Sequence, residues 1–301
     1  MSENILSIDI GGSKTVIGIV DIQGNVVVSH KTLLPEKYDA EYLIDHILSE
    51  AKRYTEYNPI AVGVTIPGLC DSEKGTWCYA PFSGISDFPI SAILKEKLGL
   101  EVYIDNDVNA CAIAEKRYGI CKNDKSFLWI TVSNGIGGAL YLDGNLYTGE
   151  SGNAGEIGHF IVEENKARLC GCGRYGCLEA MASGKGIENE YATVAGKRLD
   201  AKSIAELAKN KDAASMAAYN KAGCYIGKAL AYSINLLNIK KVVLGGGVSQ
   251  DFELLREGIN ESLDKYSFKQ ANKNISVEKT QLGYNAALIG AAAVAINKIS
   301  K

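Results

Sequence analysis

The chain has almost no charge imbalance. Its 301 residues include 32 Lys and Arg against 35 Asp and Glu, a formal net charge of −3. That removes any electrostatic reason to bind nucleic acid or an anionic membrane. No apolar run approaches the ~20 residues that a helix needs to cross a bilayer. The opening residues MSENILSIDI lack a basic segment and run straight into a strand, so no export signal and a cytoplasmic location are expected. There is no low-complexity tract and no long linker. The Walker pattern G-x-x-x-x-G-K-[ST] is absent, and no helix follows the first glycine pair, which excludes a dinucleotide fingerprint there. Five of the eight cysteines (Cys70, Cys78, Cys111, Cys121, Cys224) are scattered without framework spacing and read as reduced thiols.

The other three cysteines are clustered. Cys170, Cys172 and Cys177 lie in the stretch Gly155–Glu179, with His159 shortly upstream. Three thiolates and one imidazole make a closed tetrahedral zinc site, structural because no position is left for activated water. Buried or paired thiols are the alternative, but Cys-x-Cys neighbours pair poorly. Glycines at 171, 173 and 176 would let the loop turn tightly. A metal here would also fix the His159 ring, so that its second nitrogen points at a defined partner. Glu156 and Glu179 flank the cluster and are not needed as ligands.

The length suits two domains, and 47% hydrophobic with 22% charged residues is ordinary for a globular protein. The apolar strand Ile5–Ile10 ends near Asp9. The turn Gly11, Gly12, Ser13, Lys14, Thr15 follows, then a second strand to Val20 and a third at 26–29. Backbone N–H groups of such a turn face an anion, and Asp9 would hold a hydrated Mg²⁺. An ordinary hairpin satisfies the same pattern. Residues 39–57 are expected to be helical and 60–66 a buried strand, leading into Pro67-Gly68, either a ligand approach or a plain turn. Residues 76–89 read as an irregular aromatic loop lining a pocket. A short strand at 102–104 precedes Asp105, Asn106, Asp107 and Asn109 at a helix start. N-capping explains one of these four polar residues.

The layout then repeats. A strand at 126–133 meets a turn Asn134-Gly135-Ile136-Gly137-Gly138 and a strand at 139–142. The repeat suggests two related domains, each offering a phosphate loop to one cleft. Helices are expected at 178–190, 201–209 and 213–237. A strand at 242–244, Gly245-Gly246-Gly247 and a helix from Phe252 make a surface against which a nucleotide can lie. A strand at 275–279 and an apolar helix at 286–299 complete the chain.

Taken together, these motifs resemble the ROK family of bacterial sugar kinases and sugar-responsive repressors, within the actin–hexokinase–Hsp70 ATPase superfamily. The resemblance covers nearly the whole chain. It implies an α/β fold of two RNase H-like domains around a nucleotide and sugar cleft, with a zinc-stabilised loop in the second. The first would span 1–118 plus the C-terminal helix at 286–301, and the second 119–285, with the break near 118–125. In IDNDVNACAIAE, Asp107 matches the general base and Asn106 a sugar ligand, while Glu101 and Asp105 are structural or solvated. Gly68, Glu156, His159 and Glu179 match sugar-facing positions. Residues 11–15 and Asn134, Gly135 and Gly137 match the two phosphate motifs, and Gly245–Gly247 the adenosine motif. Two departures stand out. Asn134 replaces the usual Thr, and Phe82 and Ser83 replace the Asn and Trp of many relatives.

The resemblance implies phosphorylation of a hexose or N-acetylhexosamine by Mg-ATP, at the C6 hydroxyl, in a homodimer. A repressor would need a helix-turn-helix before the first motif, where only about four residues stand. A sugar sensor without catalysis, or a zinc protein without a small-molecule site, are the other readings. The second leaves the acids and paired glycine loops unexplained.

Overall fold

A computed structural model describes residues 3–80 and 83–300. Phe82, where the pocket loop departs from the family pattern, lies outside the described residues. The chain divides into two compact units. One comprises residues 1–123, 148–153 and 284–301, and the other 124–147 and 154–283.

The first unit begins with β1 (Asn4–Ile10), β2 (Lys14–Asp21) and β3 (Val26–Leu33). Helix α1 (Ala40–Ala51) follows, continued by a 3-10 segment Lys52–Tyr57. The Asp39 carboxylate caps α1 by accepting the Tyr42 N–H at 2.8 Å. Leu43, Ile44, Ile47 and Ala51 form its inward stripe. Next come β4 (Ala61–Ile66), β5 (Leu69–Asp71), β6 (Thr76–Tyr79), β7 (Ser86–Phe88), α2 (Ile90–Leu98), β8 (Val102–Asn106) and α3 (Asp107–Tyr118). The main sheet runs β3-β2-β1-β4-β8. The first three strands are antiparallel, and β1, β4 and β8 are parallel. Every residue of β4 is buried, as a parallel strand covered on both faces requires.

The segment expected to be an irregular loop is largely ordered. β5, β6 and β7 form a three-stranded antiparallel sheet. Trp77 anchors it, fully buried, with its indole N–H donating to the Pro67 carbonyl at 2.8 Å. The tightness of these strands hid the pattern, because three or four residues show no period. The C-terminal helix Ala286–Ile299 also belongs to this unit. Leu288, Ala292, Ala295 and Ile296 pack on Ile5, Val20 and Ala61. Its small side chains permit backbone contact: a Cβ on Gly63 would lie 1.8 Å from the Ala291 carbonyl oxygen.

The second unit repeats the strand plan with β9 (Phe127–Val132), β10 (Ile136–Leu142), β11 (Asn145–Tyr147), β12 (Lys241–Gly245) and β13 (Ser276–Lys279). Their order is β11-β10-β9-β12-β13, with the same antiparallel and parallel pairs. Its helices are α4 (Leu178–Ala182), α5 (Gly184–Ala195), α6 (Ala201–Lys209), α7 (Ala213–Leu237) and α8 (Phe252–Tyr266). The single helix expected over 178–190 is two. Ser183 breaks it in an extended conformation and caps α5, its hydroxyl accepting the Gly186 N–H at 3.3 Å. Among the described residues, no helix is long and apolar enough to cross a membrane.

Candidate functional site

In the first unit, the carboxyl ends of three parallel strands stand side by side. Asp9 of β1 pairs in register with Thr65 of β4, and Thr65 with Asp105 of β8. The Thr65 hydroxyl donates to Asp9 Oδ1 at 2.8 Å. Asp107 opens α3 two residues further on. Burial pushes its carboxyl up to about 7, and the nearby Asp9 carboxylate pushes the same way. Asp9 is itself raised by burial, with Thr65 and Lys14 opposing. Two partly desolvated acids that disfavour each other's charge suit a base working near neutrality, or a divalent cation shared between them and a ligand.

Asn106 holds this corner together. Its Oδ1 accepts the N–H groups of Val108 at 2.9 Å and Asn109 at 3.3 Å, capping α3. Its amide nitrogen donates to the Gly68 carbonyl at 2.8 Å, which leaves one amide hydrogen for a ligand. Asp105 is buried and structural, accepting from Asn109 Nδ2 at 3.0 Å and the Asn106 N–H at 2.8 Å. Glu101 is at the surface, paired with Lys95 at 2.7 Å. In the 11–15 turn, the Gly11 N–H bonds the Lys14 carbonyl at 2.8 Å. Gly12, Ser13 and Lys14 are exposed. Thr15 instead turns inward, its hydroxyl 2.8 Å from His46 Nε2 on α1. Sequence reading missed Thr65 and His46. Both act through partners that only strand register and helix placement bring near.

In the second unit, the β9–β10 turn is tighter than expected. The Ser133 N–H bonds the Gly135 carbonyl at 2.9 Å, and β10 begins at Ile136, so Gly137 and Gly138 already pair with Thr131 and Ile130. Asn134 stands exposed at the tip. Beside it, Gly246 has φ +89°, and a Cβ there would lie 2.4 Å from the Val132 carbonyl. Gly245 would meet the Trp129 ring at 2.3 Å, whereas a Cβ on Gly247 meets nothing within 4 Å. Packing therefore explains the first two glycines and leaves the exposed third open to a ligand.

The cysteine cluster forms as the spacing predicts. The ligand atoms of His159, Cys170, Cys172 and Cys177 all lie within 4.8 Å of one another. Cys172 and Cys177 sulfurs are 3.6 Å apart, and Cys170 Sγ is 3.8 Å from His159 Nδ1. Tetrahedral zinc with sulfurs at about 2.3 Å sets them ~3.8 Å apart, so this donor set fits. The Arg174 backbone N–H and then its guanidinium lower the Cys172 thiol to about 6, while burial holds Cys177 up at about 12. Gly176 is required: φ is +78°, and a Cβ would lie 1.8 Å from the Glu163 carbonyl. Gly173 also has a positive φ of +85°, whereas Gly171 has open space and no positive φ, so the first of the three expected turn glycines is dispensable. His159 Nε2 faces away from the sulfurs, 3.6 Å from Glu156 Oε2. Glu179 Oε1 lies 3.8 Å from Cys170 Sγ, and its Oε2 accepts the Ile136 N–H at 3.0 Å.

Comparison with known proteins gives a consistent answer. The ROK family model matches residues 5–298. A glucokinase of Halalkalibacterium halodurans is 31% identical over 95% of this chain and 92% of its own. A xylose repressor of Bacillus subtilis is 27% identical over 93% of this chain and 73% of its own. The crystal structure of a ROK family glucokinase from Streptomyces griseus, in complex with glucose and AMPPNP, superposes with a TM-score of 0.83 at 29% identity, covering 96% of this chain and 98% of that one.

Proposed function

This chain belongs to the ROK family, and from that premise we propose that it is an ATP-dependent sugar kinase. The observation that carries the proposal is Asp107, a carboxyl raised to about 7 at a helix start beside Asp9. Asp107 takes the proton from a sugar hydroxyl, at C6 of a hexose or N-acetylhexosamine, as that oxygen attacks the γ-phosphorus and the bond to the β–γ bridging oxygen breaks, so that ADP leaves with the electron pair. A base with this pKa is half ionised near neutral pH and still basic enough to accept the proton.

The two repeated strand plans support a pair of RNase H-like domains of the actin-like ATPase kind, with the first at 1–118 plus 286–301 and the second at 119–285. In the first unit the 11–15 turn is a phosphate loop for ATP; in the second, Asn134, Gly135 and Gly137 form a phosphate loop and Gly245–Gly247 a surface for adenosine. Asp9 would hold the Mg²⁺ that accompanies ATP, which would offset charge developing on the transferred phosphoryl group. The sugar-binding residues are Asn106 and Gly68 in the first unit, and Glu156, His159 and Glu179 in the second. His159, Cys170, Cys172 and Cys177 hold a structural zinc. The protein works as a cytoplasmic homodimer.

A second reading has one observation behind it. Repressors stand among the relatives, and the exposed tip of the second phosphate turn is Asn134. A sugar sensor with weak or no catalysis would keep the pocket and lose transfer. Incubation with Mg-ATP and candidate sugars, followed by phosphorus NMR of the product, separates the two. A new phosphate monoester at C6 supports the kinase. Sugar binding without any ester rejects it.

A further inference from the structure

We infer that Glu179 ties the metal cluster to the second phosphate turn, so that occupancy of the cluster sets how tightly ATP phosphates are held. The inference rests on the kinase reading for its ligand, but on geometry for the link.

Two of the segments that bring ligands to the cluster bear on the same turn. The first is Gly155–His159. A Cβ on Gly158 would lie 2.0 Å from the Ile136 carbonyl oxygen, and one on Gly155 would lie 2.2 Å from the Gly138 carbonyl. Backbone therefore lies on backbone along the first three residues of β10, with no side chain between to absorb a shift. The second is Cys177–Glu179. The Glu179 carboxylate accepts the Ile136 N–H at 3.0 Å, and fills the space where a Cβ on Gly135 would stand, 2.6 Å away. Its other oxygen lies 3.8 Å from Cys170 Sγ.

Glu179 is placed by the cluster's own backbone. Cys177 is the residue before α4, its carbonyl accepting the Met181 N–H at 3.1 Å, and Glu179 is the second residue of that helix. The Leu178 N–H bonds the Phe160 carbonyl at 2.8 Å, one residue beyond His159. A metal bound by His159 and Cys177 fixes both segments at once. Released, α4 stays anchored by its buried Leu178, Met181 and Ala182, but the Glu179 carboxylate loses the fixed neighbours, Cys170 and the 159–160 segment, that hold it against Ile136. The consequence is specific. Loss of metal loosens the 134–138 turn and weakens binding of the phosphates, in addition to any effect on sugar. Glu179 is a positioning residue in this role.

The test uses the full-length protein without sugar, titrated with Mg-AMPPNP and with AMP, before and after metal stripping with a chelator. A charge-assisted hydrogen bond to a backbone N–H is worth roughly a tenfold change in affinity. Stripping should weaken AMPPNP about tenfold in the wild type and leave AMP, which lacks the outer phosphates, unchanged. Glu179→Ala should show the weak affinity with or without metal, and Glu179→Gln should restore most of the wild-type response. Amide exchange at Ile136 gives a readout that needs no ligand. It should be slow in the metal-loaded wild type and fast after stripping or in Glu179→Ala. Equal AMPPNP affinity and equal Ile136 exchange in loaded and stripped wild type would overturn the inference. A protein that binds no nucleotide but still shows metal-dependent Ile136 exchange would sink the kinase reading and keep the link.

Discussion

Replacing Asp107 with Asn should abolish turnover and stabilise the protein at the same time. The side chain is desolvated and faces the Asp9 charge, so its pKa rises from 3.8 to about 7. A group whose folded pKa is raised favours folding when protonated. That contribution is complete below pH ~4 and is lost as pH climbs through about 7. Between pH 5 and pH 8, linkage over the raised pKa removes about 2–3 kcal/mol from the wild type. The amide that Asp107→Asn introduces carries no charge, so the variant loses none of it. The assay is urea unfolding of both proteins at pH 5 and pH 8, without Mg²⁺ or nucleotide, because a cation at Asp9 would favour the carboxylate. Comparing the two proteins cancels the titrating groups that do not interact with Asp107; Asp9, relieved of its charged neighbour in the variant, shifts the gap in the same direction. The gap in favour of Asp107→Asn should widen by about 2–3 kcal/mol toward pH 8. In the wild type, kcat/KM should rise about tenfold per pH unit below 7 and level off above it. A gap that stays flat from pH 5 to pH 8, or near-normal turnover by the variant, would refute the reasoning.

Other residues give equally specific outcomes. Cys172→Ser should lose its metal by elemental analysis and lower the melting temperature; unchanged metal content would refute the cluster. Gly246→Ala, at φ +89° and against the Val132 carbonyl, should destabilise the second unit by about 1–3 kcal/mol. Gly247→Ala, with open space around it, should fold normally yet weaken nucleotide binding, as calorimetric titration would register. Asn106→Ala removes the α3 cap and the Gly68 tether, costing about 1–2 kcal/mol in thermal unfolding and raising the KM for sugar.

Much of the fold was readable because its signals are strong and local. The C-terminal helix at 286–299 and α7 at 213–237 were bounded to the residue by long apolar periodicity. The repeated strand–turn–strand plan appeared from two glycine-rich turns between apolar runs. The Cys–His cluster was equally plain, because four candidate ligands within 19 residues need only a tight loop to meet. What stayed hidden depends on neighbours far apart in sequence. Thr65 meets Asp9 through parallel register, and His46 reaches Thr15 from a helix packed on the sheet. β5, β6 and β7 are too short for a period to show, and the buried Trp77 that holds them reads like a loop aromatic. The helix expected to cross Ser183 failed because a serine hydroxyl serves a cap better than a helix interior. Gly137 illustrates a finer limit. A glycine run marks a turn without marking where the strand resumes.

The most direct test of the kinase proposal is ADP release measured by a coupled assay with Mg-ATP across a panel of hexoses and N-acetylhexosamines, with Asp107→Asn run beside the wild type. The account predicts release that depends on one sugar or a close set, and that disappears in the variant. Release that no sugar stimulates, from a protein that still binds both sugar and metal, would contradict it.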